Sequence, residues 1–126
     1  MRSGSSRPRI SELPCEIASR EILPSIRAAI VRVLLAKGYS KYTIARMMGL
    51  TPASITHYLH GKRGRPDLEE KLLSEPYKSL IEKLAEIVEK AWKNGINSKI
   101  YSSYRDLVCT LCAGFNPVAK EAGCPS

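Results

Sequence analysis

Four cysteines, Cys15, Cys109, Cys112 and Cys124, are the residues of this 126-residue chain whose type admits metal chemistry. Cys109 and Cys112 form a C-x-x-C, and side chains three apart share one face of a helix. Cys124 follows after a short stretch with Gly and Pro, near enough to fold back over that pair. Cys15 sits beside Pro14 at an expected helix N-terminus, where backbone N–H groups and the helix dipole favour the metal-binding thiolate. Four thiolates would complete an iron–sulfur cluster, or a structural zinc site with the same ligands. A disulfide, Cys109–Cys112 or Cys15–Cys124, would use the same atoms, and buried cysteines without such a role are a further alternative. His57 and His60, the two histidines, are also three apart, but an outward helix face fits contact with a partner better than metal binding. There is no Ser/His/Asp set and no βαβ context for a redox C-x-x-C, so no enzymatic activity is expected.

The stretch from Gly38 to Gly61, GYSKYTIARMMGLTPASITHYLHG, must position those histidines. It divides into two short helices. Ser40 is a fitting N-cap, with Ile44, Ala45 and Met48 on one face behind it. Gly49 closes the first helix, because the sharp turn that follows needs a positive φ. Thr51 then caps a restart and Pro52 occupies the first helical position. Ile55, Tyr58 and Leu59 form the inward stripe of the second helix, which leaves Pro52, Ala53, Ser54, Thr56, His57 and His60 outward.

The rest of the chain reads as helical support, giving an all-α fold without strands. Residues 1–12 begin with MRSGSSRPR, a basic flexible arm whose Arg2, Arg7 and Arg9 could follow a polyanion or remain solvated. Pro14 can open a short helix through Ile22. Pro24 starts a longer one to Lys37, with Ile26, Ala29, Ile30, Val33 and Leu34 inward and Arg27 and Arg32 outward. Residues 67–73 read as a helical turn or two. Pro76 is expected to open the longest helix, to Lys93, with an apolar stripe from Tyr77 to Trp92 that places Trp92 in the core. Asn94 and Gly95 end it, and a last helix runs from about Ser98 to Leu111.

Charge is unevenly placed along this chain. Residues 1–65 carry 12 Lys+Arg against 3 Asp+Glu, whereas residues 66–126 carry 8 against 9. A basic half beside a near-neutral one is the asymmetry a phosphate-binding surface requires. No apolar run reaches the length of a membrane span, and the basic N-terminus lacks the apolar core of a signal peptide. A cytoplasmic protein without a membrane partner is the expectation.

The two-helix stretch resembles the helix-turn-helix of Cro/repressor-type (XRE) DNA-binding proteins, through Ala45 at the helix crossing, Gly49 in the turn and apolar Ile44, Met48, Leu50, Ile55 and Tyr58. A wider resemblance joins Pro14-Cys15-Glu16, the segment from Leu23 to Ile30, the run from Tyr58 to Gly64 and Cys109–Cys112. Together these look like a group of predicted archaeal transcriptional regulators. The resemblance implies a sequence-specific regulator of double-stranded DNA, with a DNA-binding domain over residues 13–65 and a dimerisation and metal-binding extension over residues 66–126. It places Ala53, Ser54, Thr56 and His57 at base edges in the major groove. Lys41, Thr51, His60, Lys62, Arg63 and Arg65 would lie along the backbone. It also implies a metal centre on Cys15, Cys109, Cys112 and Cys124, an iron–sulfur cluster sensing redox state or iron, with zinc as the alternative. A homodimer on a palindromic site is expected. The rival reading is a transcription adaptor whose two-helix stretch contacts protein, with zinc or disulfides as a structural staple.

Overall fold

In the computed structural model, which describes residues 21–60 and 65–115, the segment LPSIRAAIVRVLLA forms α1 (Leu23–Ala36). Ser25, Ile26, Ala28, Ala29, Ile30, Val31 and Leu34 are all buried. A helix apolar around most of its circumference must be enclosed, and this one is. Among the described residues five further helices surround it: α2 (Lys41–Met48), α3 (Pro52–Leu59), α4 (Pro66–Leu72), α5 (Lys78–Asn94) and α6 (Ser98–Phe115). α1 packs against every one of them. The described residues contain no strand, so the protein is an all-α bundle.

One core runs through the whole bundle. It joins Ile26, Ile30 and Leu34 of α1 to Ile44, Ile55, Leu68 and Leu72, and to Ile81, Leu84 and Leu111 of the C-terminal helices. Residues on either side of position 65 therefore share a single hydrophobic interior. α5 contributes an amphipathic face of Ile81, Leu84, Ala85 and Val88, spaced to fall on one side of the helix. α6 lies mostly at the surface, with only Leu111 and Cys112 buried, and its end is held by the Phe115 ring against Tyr77 at 4.8 Å between centroids.

Several boundaries differ from the sequence expectation. Pro76 does not open α5. It sits in the preceding turn after a cis Glu75–Pro76 bond, and the helix begins at Lys78. Among the described residues the longest helix is α6, of 18 residues against 17 for α5, because its last turn continues past Leu111 to pack Phe115. Asn97, not singled out in the sequence, caps its start by accepting the Ile100 N–H at 2.8 Å. Trp92 is not in the core. Its spacing continues the α5 stripe, but burial ends at Val88, and the indole is 41% exposed with the Arg46 guanidinium 5.4 Å from its ring centroid. The arm over residues 1–12 and most of the helix opening at Pro14 lie outside the described residues.

Polar ties fasten the connection between α1 and α2 to α5. The Lys37 ammonium donates to Glu89 Oε1 at 2.6 Å, and the Tyr39 hydroxyl donates to Glu89 Oε2 at 2.6 Å. These donors hold the Glu89 carboxyl below its usual 4.5, Lys37 contributing most. The folded state therefore binds this proton less readily than the unfolded chain. Its stabilising effect is complete above about pH 4.5 and is lost as pH falls through the lowered folded value. Urea unfolding across acidic pH is expected to show this decline, and Glu89→Gln to flatten it while lowering stability at neutral pH. In the core, Leu34→Ala at a fully buried position is expected to cost about 3 kcal/mol in the same assay.

Candidate nucleic-acid interface

α2 and α3 are eight residues each and meet through a tight turn. The Ser40 hydroxyl caps α2, accepting the Thr43 N–H at 3.2 Å. Gly49 ends it at φ 69°, ψ 33°, a left-handed conformation that a Cβ would strain. Leu50 N–H then donates to the Ala45 carbonyl at 2.8 Å, which turns the chain sharply toward α3. Thr51 caps α3 by accepting the Ser54 N–H at 3.1 Å, and Pro52 occupies its first turn. Ile44, Ala45, Ile55 and Tyr58 anchor the pair in the core.

The outer side of α3 is open. Pro52, Ala53 and His60 are exposed, and Ser54, Thr56 and His57 are half-buried. Lys41 reaches across from α2, its ammonium donating to Thr56 Oγ1 at 3.3 Å, while the Thr56 hydroxyl donates to the Pro52 carbonyl at 3.1 Å. A cation thus reaches this face from α2. No carboxylate occurs anywhere in the sequence between Glu21 and Asp67, so nothing on this stretch opposes an anion.

Polar ties from Arg32, Ser25 and Arg65 fix the end of α3 and the entry to α4, and none was legible in the sequence. Arg32, expected only to face water, pairs with the buried Glu69 carboxylate on α4 and donates from Nη2 to the Leu59 carbonyl at 2.9 Å. A guanidinium on the last carbonyl of a helix satisfies an orphan acceptor and complements the dipole. Ser25, fully buried in α1, accepts the Arg65 N–H at 2.8 Å and donates to the Glu21 carbonyl at 2.7 Å. The entry to α4 is therefore pinned onto α1. Arg65, expected along a nucleic-acid backbone, is engaged by Asp67 at 2.7 Å and Glu21 at 3.4 Å. Asp67 contributes most to holding the guanidinium in its charged form. These two carboxylates compensate its charge locally, so it acts mainly in positioning this corner. Lys62, Arg63 and the stop at Gly61 lie outside the described residues.

Of the four cysteines, Cys15 and Cys124 also lie outside the described residues. Cys109 and Cys112 stand one turn apart on α6. Cys109 is a half-buried free thiol, so the Cys109–Cys112 disulfide is not formed, and Cys112 is buried beside Leu111 in the core. Their spacing suits two ligands of one centre. Among the described residues no group of three or more His, Cys, Asp or Glu side chains converges. No helix among the described residues is long and apolar enough to cross a membrane.

No protein-family model matches this chain, and no curated protein or solved structure matches it either.

The turn and its cap can be tested directly. Gly49→Ala meets no atom within 4 Å, so its cost is backbone strain alone, expected at about 1 kcal/mol. Thr51→Ala removes the cap of α3 and is expected to cost about 1 kcal/mol. Chemical denaturation measures both, and a neutral Gly49→Ala would contradict the left-handed turn.

Proposed function

We propose that this chain is a sequence-specific DNA-binding regulator of transcription, with α2, the turn at Gly49 and α3 serving as a repressor-type (XRE) helix-turn-helix. One observation carries the reading. The open side of a short, doubly anchored helix presents small and polar groups, with the Lys41 ammonium across it and no carboxylate near it in sequence. An α-helix fits the major groove, and short side chains allow its axis to approach base edges. Thr56 and His57 supply hydrogen-bonding groups for base contacts, with Ala53 and Ser54 beside them. Lys41, Thr51 and His60 flank that face and meet phosphates, joined by Lys62 and Arg63 in the segment that follows. The similarity of these motifs to predicted archaeal regulators points the same way.

A single reading helix spans few base pairs, so the acting species is a homodimer on two half-sites about one helical turn apart. A metal centre on Cys109 and Cys112, completed by Cys15 and Cys124, would tie α6 to the N-terminal segment. Iron–sulfur or zinc there would supply a staple or a redox response, and the DNA contacts do not depend on which. The cytoplasm is where such a regulator would act.

Selection from a random duplex library tests the reading, and enrichment of a two-fold site is expected. Lys41→Ala should weaken all sequences alike and reduce the slope of log affinity against log salt by about 0.9. Thr56→Ala or His57→Ala should instead change which base is preferred, by about 1–3 kcal/mol at the affected position. Retention of duplexes without any sequence preference would overturn the assignment and favour a protein-binding adaptor.

A further inference from the structure

Between the end of α2, its turn, α5 and α6 lies an open cavity of about 220 Å³. Its walls are apolar, with Met47 and Leu50 on one side, Val88 and Ala91 on another and Ile100 on a third. Arg27, Tyr101 and Tyr104 are the lining residues that carry polar groups, and no carboxylate residue is among them. Burial pushes the Tyr104 phenol up, while Arg27 acts on it in the opposite direction, so the guanidinium and the ring share one electrostatic neighbourhood.

Arg27 differs from every other described arginine. Arg32 and Arg65 hold carboxylates on α4 and at its start, Arg105 pairs with Asp106, and Arg46 lies over Trp92. Arg27, exposed at the cavity, makes no ion pair, hydrogen bond or ring contact among the described residues. An uncompensated guanidinium is a planar fork suited to a carboxylate, and an apolar wall behind it is suited to that acid's hydrocarbon body. An engineered apolar cavity of about 150 Å³ holds benzene, so this volume takes a ring or short chain with an acid arm.

We propose that this cavity is a binding site for a small organic acid with an apolar body, an aryl or medium-chain carboxylate of about ten non-hydrogen atoms. Its carboxylate is held by Arg27, and its body lies between Met47, Leu50, Val88 and Ile100. Because Met47 and Leu50 belong to α2 and the turn into α3, an occupant bridges that unit to α5 and α6. An effect on DNA affinity rests on the function proposed above, whereas the ligand site itself does not.

Isothermal titration calorimetry of the full chain without DNA tests the site, using phenylacetate and octanoate beside their neutral amides, phenylacetamide and octanamide. Saturable binding of at least one acid is expected, with a dissociation constant roughly millimolar or tighter. Its amide should bind at least roughly tenfold more weakly, and Arg27→Gln should lower affinity for the acid by a similar factor. Arg27 is exposed, so this variant keeps the fold, as circular dichroism should verify. Ala91→Phe, which fills one wall, should remove binding of acid and amide together. Equal affinity for acid and amide, acid binding indifferent to Arg27→Gln, or no saturable binding of either acid overturns the proposal. DNA affinity is measured separately, with and without saturating acid. A chain that binds acid but no DNA removes the regulator and leaves this site, and a chain that binds DNA but neither acid removes this site alone.

Discussion

Burial of α1 on nearly all sides is the constraint from which the rest of the structure follows. A helix carrying Ile26, Ile30, Val31 and Leu34 in its interior positions cannot face water on any broad surface. Each such side chain contributes about 1.5–3 kcal/mol when enclosed. The two short helices α2 and α3 cannot enclose it alone. α4 and α5 cover other sides, and the end of α6 closes the remainder. The placement of α3 is therefore set by a helix that is itself largely enclosed.

Polar groups then fix what burial leaves adjustable. Hydrophobic contact is non-directional, so it would permit α3 to slide or roll by small amounts. Arg32 on the Leu59 carbonyl and Ser25 on the Arg65 N–H are directional, and both originate on α1. They convert a packed helix into an oriented one. Lys37 and Tyr39 do the same at the opposite end of α1, through one carboxylate on α5. The outer face of α3 makes few demands in return. Apart from the Lys41 ammonium that reaches Thr56 from α2, its hydrogen bonds, Thr51 to Ser54 and Thr56 to Pro52, are local to the helix.

Much of this architecture was legible in the sequence wherever the signal was local. Ser40, Gly49, Thr51 and Pro52 announce the ends of α2 and α3 through capping and φ requirements that depend on neighbouring residues alone. The inward stripes of α1, α3 and α5 followed from 3.6-residue periodicity. What remained hidden was long-range. Arg27 and Arg32 read alike as solvent-facing, yet one bridges α3 to α4 and the other stands uncompensated at a cavity. Nothing in their immediate sequence separates them, because the difference lies in Glu69, some way along the chain. Trp92 shows the same limit from the apolar side. Periodicity gives the face of a helix but not where the neighbouring helices stop.

The single shared interior also bears on how such a chain can change over evolutionary time. A helical unit that is self-contained can be excised, duplicated and joined to unrelated partners as a cassette. Here the helix that supports the unit has its most extensive packing against α5, beyond the boundary at which a cassette would be cut. Shuffling at that seam would strip the cover from Ile30 and Leu34 and leave a sticky fragment. Substitution at Pro52 or Ala53, on the exposed side of α3, would by contrast leave that shared interior untouched.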